Sequence, residues 1–144
     1  MYNILIVGHG EFATGMKSSL DILIGKNDKI HAQNLNEKIT HDEFEKIIDE
    51  YIEKYNDLVV FADLSGGAPS QIVSRRLLTL KKSPSQYIIS GMPLSMILDL
   101  SMKLLFMEED KADIYKEIEE SMEQSKDMMQ ILSIKEFLEG CDDN

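Results

Sequence analysis

The sequence holds one cysteine, Cys141, and no tryptophan. One cysteine cannot close an internal disulfide, so the fold has to rest on its core, and the chain suits a reducing compartment, read here as the cytoplasm. Nothing around Cys141 supports a reactive thiol. No CxxC, HxxxH or HExxH spacing occurs, so no metal is expected, and His31 and His41 read as surface or strand-end residues. No apolar run approaches the ~20 residues of a membrane span. The N-terminal run Ile4, Leu5, Ile6, Val7 is too short for a secretory signal, lacks a basic flank and ends in glycine and histidine. Positive charge is also scarce: 15 Lys and Arg stand against 26 Asp and Glu, a net charge of −11. Such a surface repels nucleic-acid phosphates and anionic lipid. The one basic cluster, Arg75, Arg76, Lys81 and Lys82, reads as the solvated face and end of a helix, so no nucleic-acid partner is expected. Glycines 8, 10 and 15 do not fit GxGxxG, no GxxxxGK[ST] loop exists, and Ser65 lacks a GxSxG setting.

What the chain does have is 43% hydrophobic residues over 144 positions. That is enough for a single domain over residues 1–144 that buries roughly 70% of its extended surface. Strand and helix signals alternate. The run from Ile4 to Val7 is followed by a helix over 11–24, with Phe12, Met16, Leu20, Leu23 and Ile24 inward and Gly25 as its stop. A second strand is predicted over 29–35. Thr40 and Glu43 then form a capping-box pattern opening a helix whose stripe is Phe44, Ile47, Ile48, Tyr51, Ile52 and Tyr55. The run 58–64 is apolar on both faces, as a strand covered by helices on both sides demands. Pro69 marks a helix start, residues 70–80 carry the inward positions Ile72, Val73, Leu77 and Leu80, and 86–90 form a fourth strand. The fold class is therefore α/β, a doubly wound and mainly parallel sheet with helices on both faces, and ligand chemistry is expected at the carboxyl ends of its strands. The segment 94–107 is almost wholly apolar and needs cover on several sides, from a second subunit or from within the domain. A polar, acidic helix is predicted from beyond Glu108 to about Lys126, and 128–138 reads as a strand or a short helix.

Two glycine-rich turns carry the chemistry. His9 and Gly10 follow the first apolar run, and Asp63, Ser65, Gly66, Gly67, Ala68 and Pro69 follow the second. In a parallel sheet the His9 and Asp63 side chains can meet across neighbouring strands. A carboxylate on one ring nitrogen fixes the tautomer and leaves the other as a neutral lone pair, suited to general base or nucleophilic work. Gly10, Gly66 and Gly67 leave backbone N–H groups unshielded, and the following helices aim positive dipole ends at the same space, which makes an anion site. A nucleophilic histidine beside an anion site is what phosphoryl transfer needs, with phosphohistidine as the intermediate. The plainer alternative, in which His9 caps a strand and the glycines only serve the turns, is outweighed by the pairing with Asp63 and the Gly66-Gly67 turn.

These residues resemble the IIA components of the mannose-type branch of the bacterial sugar phosphotransferase system. ILIVGHGEFATGM is similar to that family's strand followed by HGxxAxG, and FADLSGGAPSQ to its strand followed by D-x-x-G-G-[ST]-P. The resemblance covers nearly the whole chain and is weakest after about residue 110. It implies that His9 receives a phosphoryl group from the phosphocarrier HPr and passes it to a histidine of a IIB component, which serves sugar uptake through IIC and IID membrane partners. It further implies that Asp63 orients the His9 ring and leaves Nε2 as the phosphorylated atom, that Ser65 to Gly67 border the phosphoryl site, and that the protein is a homodimer with an exchanged C-terminal strand and no cofactor. Ala68 stands where the family has Ser or Thr, Gln71 where Asn is frequent, and Gly91, Met92, Pro93 and Leu94 where Gly-Val-Asn-Leu/Ile-Pro is common. Two alternatives remain at this point: the phosphotransferase domain that feeds a dihydroxyacetone kinase, and a IIA-like regulatory or interaction module. The sugar is invisible in this sequence.

Overall fold

In the computed structural model, which describes residues 1–106 and 113–142, the two apolar runs become the central strands of one sheet. The elements are β1 (Asn3–His9), α1 (Phe12–Ile24), β2 (Ile30–Leu35), α2 (His41–Lys54), β3 (Leu58–Ala62), α3 (Ala68–Leu80), β4 (Gln86–Ser90), α4 (Leu94–Phe106), α5 (Ile114–Lys126) and α6 (Ile134–Asp142). The strand order is β2-β1-β3-β4, and every pairing is parallel. Side chains alternate across a strand, so an apolar run must be covered on both sides. Ile4, Ile6, Val59 and Phe61 pack under α1 and α4 with Leu20, Met96, Ile97 and Leu100. Leu5, Val7, Leu58 and Val60 pack under α2 and α3 with Phe44, Ile48, Ile52, Ile72 and Val73. Each such fully buried side chain contributes about 1.5–3 kcal/mol relative to exposure.

The helix ends follow local chemistry. Thr40 Oγ1 accepts the Glu43 amide at 3.1 Å, capping α2, while Pro69 occupies the first turn of α3. The predicted basic cluster is largely absorbed between α2 and α3. Arg76 makes a bidentate pair with Asp49 at 2.7 and 3.0 Å, Arg75 meets Glu45 at 3.0 Å, and Lys82 lies 3.8 Å from Glu53. Lys81 ends α3 in the left-handed region at φ 47°.

Several boundaries and faces differ from the sequence reading. β3 stops at Ala62 rather than residue 64, because the Asp63 carboxylate accepts the Leu64 amide and turns the chain out of the sheet. α3 begins at Ala68 instead of residue 70, since Pro69 is as well suited to the first turn as to the position before it. On α1, Leu23 is 54% exposed and Ala13 takes its place in the core. The apolar helix α4 finds most of its cover within the chain: Met96, Ile97, Leu100, Leu104 and Leu105 are buried with Leu20 and Ile118, leaving Met102 and Phe106 exposed. It is tied to α5 by Ser121, whose hydroxyl donates to Asp99 at 2.7 Å and accepts from Lys103 at 3.3 Å. Met107 and Glu108 fall outside the described residues. The segment 128–138, which the sequence left between strand and helix, contributes its latter part to the helix α6. Among the described residues no helix is long and apolar enough to cross a membrane.

His31, half-buried on β2, donates from Nε2 to Asn3 Oδ1 at 3.0 Å and lies 5.3 Å from the Tyr51 ring and 5.4 Å from the Tyr55 ring. Burial, reinforced by Lys54, holds its pKa below the ordinary histidine value of 6.5. The folded state therefore binds this proton less readily than the unfolded chain. Its stabilising contribution is complete above pH 6.5 and declines as pH falls from there through the lowered folded value. Urea unfolding at pH 8 and pH 5 should show the wild type losing more stability on acidification than His31→Gln; equal losses would refute this assignment.

Candidate functional site

The chain leaves β1 toward one edge of the sheet, to β2, and leaves β3 toward the other, to β4. The carboxyl ends of β1 and β3 therefore diverge into a crevice, the place where ligands bind in doubly wound sheets. His9 is the last residue of β1, and Asp63 follows β3 directly. With Val7 paired to Ala62, Asp63 lies one residue and His9 two residues beyond that pair, and the two meet across this gap. Asp63 Oδ2 accepts both the His9 backbone N–H at 2.9 Å and His9 Nδ1–H at 2.7 Å, and Oδ1 accepts the Leu64 N–H at 2.9 Å. Burial pushes the Asp63 carboxyl up, but the hydrogen bonds from the His9 backbone and ring, and then from Leu64, outweigh it and hold the pKa below its ordinary value of 3.8. Asp63 thus stays ionised, and an ionised carboxylate can only accept, so Nδ1 carries a proton, and in the neutral imidazole the lone pair is on Nε2. The stabilisation from this contact is present above the ordinary carboxylate value and is lost as pH falls through the lowered one. The Asp63 side chain is 9% exposed and that of His9 49%: the anchor is buried and the reactive face open.

The other predicted turn residues are not equivalent. Gly67 is the N-cap of α3 and lies against the His9 ring. A Cβ there would fall 2.7 Å from His9 Cε1, 2.9 Å from Leu64 Cδ1 and 3.4 Å from His9 Nε2. A side chain there would have to displace the imidazole or Leu64, and the arrangement sets Nε2 beside a helix N-terminus whose first N–H groups have no intrahelical acceptor. Gly66, at φ 81°, makes the turn that permits this approach, and Gly10, at φ 59°, turns the chain out of β1 while its N–H donates to Leu35 O at 3.0 Å. Ser65 is exposed and makes no hydrogen bond among the described residues. At Ala68, where the sequence lacks the family hydroxyl, α3 has no side-chain cap. His41 opens α2 and His31 lies on β2, both apart from His9. No group of three or more potential metal ligands occurs among the described residues.

Sequence reasoning missed two features. Leu64, 49% exposed, shares with His9 the space beside Gly67. Glu11, Thr14, Asn34 and Asn36 form a polar network at the first turn of α1, on the flank opposite Asp63. Glu11 at the helix N-cap, a residue poor at that job, was the only local sign of it. The partner Asn34 is identified only by the register that sets Gly8 against Asn34.

Gly67→Ala should force the His9 ring or the loop to move, at a cost of about 1–3 kcal/mol of stability. It should also shift the His9 ring resonances in NMR spectra. Unchanged ring signals in a folded Gly67→Ala protein would contradict the close contact.

The comparisons with known proteins agree with this architecture. The family model EIIA-man, described as PTS system fructose IIA component, matches residues 3–119. A phosphotransferase system EIIA component from Streptococcus agalactiae superposes with a TM-score of 0.79 at 21% identity, over 91% of this chain and 97% of that one. The PTS IIA protein associated with the fucose utilization operon of Streptococcus pneumoniae gives 0.70 at 23% identity, over 95% and 96%. The mannose/sorbose specific IIA subunit from Enterococcus faecalis gives 0.72 at 15% identity, over 92% and 95%. No curated protein matches the sequence. At these identities the structures establish a shared fold, and the family model, which spans most of the chain including both glycine turns, establishes that the protein belongs to the mannose-type EIIA family of PTS IIA components.

Proposed function

We propose that the protein is a cytoplasmic phosphocarrier in which His9 accepts a phosphoryl group from phospho-HPr on Nε2 and passes it to a histidine of a IIB component during sugar uptake through IIC and IID membrane partners. The observation that carries this reading is the 2.7 Å contact of His9 Nδ1 with Asp63 Oδ2. As a P–N bond forms at Nε2 the donor's bond to phosphorus breaks, and the Nδ1 proton stays on the ring. The imidazole gains positive character in that step, which the adjacent ionised Asp63 stabilises. Gly10, Ser65, Gly66 and Gly67 border the phosphoryl group in this reading, and the N-terminus of α3 beside Nε2 favours its negative charge. Partner docking is supported by the exposure of His9, since a donor protein has to bring its own phosphorylated side chain into line.

The same reading includes a homodimer with an exchanged C-terminal strand. Supporting it, β4 ends the sheet, a cavity of about 230 Å³ lined by Tyr87, Ile89, Tyr115, Ile118 and Met122 runs beside it, and the segment after α5 leaves Ile131, Leu132, Ile134, Phe137 and Leu138 exposed. Apolar surface of that extent calls for a partner.

Intact mass after incubation with phosphoenolpyruvate, enzyme I and HPr, held at neutral to basic pH, should show one added phosphoryl group, lost on acidification and absent in His9→Ala. Asp63→Ala should slow acceptance about 10–100-fold without removing the acceptor. No added mass while a control IIA is labelled, or labelling that persists in His9→Ala, would overturn the assignment. Light scattering on the purified chain should give the mass of two copies, and a one-copy mass would reject the dimer.

A further inference from the structure

The loop that follows His9 is only Gly10 and Glu11 before α1 begins, so Glu11 places a negative charge two residues from the ring. With consecutive Cα atoms 3.8 Å apart, the His9 and Glu11 Cα atoms are separated by at most about 7.6 Å. A free glutamate there is within reach of the space an incoming phosphoryl group must occupy. In the structure it is not free. Asn34 Nδ2 donates to Glu11 Oε2 at 3.0 Å, and Asn36 Nδ2 donates to Glu11 Oε1 at 3.0 Å, so each carboxylate oxygen is held by an amide on the β2 side. Asn34 completes a closed ring: its Nδ2 also donates to Thr14 Oγ1 at 2.9 Å, and its Oδ1 accepts the Thr14 N–H at 3.1 Å. That last bond replaces the cap that Glu11 does not make for α1.

The network does more than cap a helix. A cap needs one acceptor on a first-turn N–H, which Asn34 Oδ1 supplies alone. The Asn36 bond contributes nothing to the cap and engages only the Glu11 carboxylate. The His9 turn is thus tied on one flank by Asp63 from beyond β3 and on the other by two amides at β2. The two ties do opposite things: Asp63 brings negative charge to Nδ1, and the amides hold negative charge back.

We propose that Asn34 and Asn36 are positioning residues that hold the Glu11 carboxylate off the His9 ring and so keep its Nε2 face open to an anionic phosphoryl group. This rests on the reading of His9 as a phosphoryl acceptor. Releasing Glu11 places a like charge near the transferred oxygens, which raises the barrier to acceptance and is screened by salt.

The test is single-turnover phosphorylation of the full chain by phospho-HPr at low and high ionic strength, comparing wild type with Asn34→Ala, Asn36→Ala, Glu11→Gln, and each asparagine variant combined with Glu11→Gln. Acceptance by Asn34→Ala should slow about tenfold at low salt, with the ratio to wild type shrinking toward one near 1 M salt. Asn36→Ala, which leaves the cap intact, should slow in the same direction. In the double variants the rate should return to that of Glu11→Gln alone. A slowing of Asn34→Ala that is independent of salt and persists with Glu11→Gln would reduce the network to a helix cap and overturn the proposal. Wild-type rates in both asparagine variants would overturn it as well. Should Asn34→Ala fail to fold, the Asn36→Ala pair decides. Failure of the wild type itself to accept phosphate would strike instead at the reading of His9, so the two failures are separable.

Discussion

Everything at the site depends on the side-by-side pairing of β1 and β3 with no strand between them. The register that sets Val7 against Ala62 leaves Asp63 one residue and His9 two residues beyond the last pair, on chains that part toward opposite edges of the sheet. Neither side chain could find the other from helices or loops with comparable precision, because the pairing is enforced by burial on both faces of both strands. Moving the register by one residue would turn one strand's set, Ile4 and Ile6 or Val59 and Phe61, from one helical layer to the other. The core therefore holds the geometry of the His9–Asp63 pair, and a substitution deep in the sheet acts on it by loosening this pairing.

Given that frame, one carboxylate does several jobs. Asp63 accepts from the His9 backbone, the His9 ring and the Leu64 amide at once, so it ends β3, fixes the turn and sets the tautomer. Gly67 then closes the ring in from the other side, so near His9 that a Cβ there would fall 2.7 Å from the ring. The imidazole is left with one free nitrogen and one open face. For phosphoryl transfer between proteins this is the useful arrangement, since most of the rate comes from positioning and charge compensation rather than from further chemistry.

Much of this was legible before any coordinates. Runs apolar on both faces announced a parallel sheet with two helical layers, and glycines after each run placed His9 and Asp63 at the same end. The resemblance to mannose-type IIA components rested on those two turns, and the family model covers both. Less was legible where the determinant is non-local. The cover over α4 could come from a partner or from α1 and α5, and only packing shows that Leu20 and Ile118 supply it. Leu23 and Ala13 both fit a helical stripe on α1, and the close passage of α1 over β1, with Phe12 against Gly8, decides which faces inward. The Asn34 network depends on register, which periodicity does not encode. Gly67 was expected to expose its N–H; its tighter role, leaving room for a ring from another strand, cannot be read from a turn motif.

The decisive question is which nitrogen of which histidine takes the phosphoryl group. Long-range proton–nitrogen NMR of the imidazole rings, recorded before and after phosphorylation by phospho-HPr at basic pH, addresses it directly. His9 should carry a proton on Nδ1 before the reaction and phosphorus on Nε2 after it, with His31 and His41 unchanged. Phosphorus on Nδ1 of His9, or on either other histidine, would contradict the central claim.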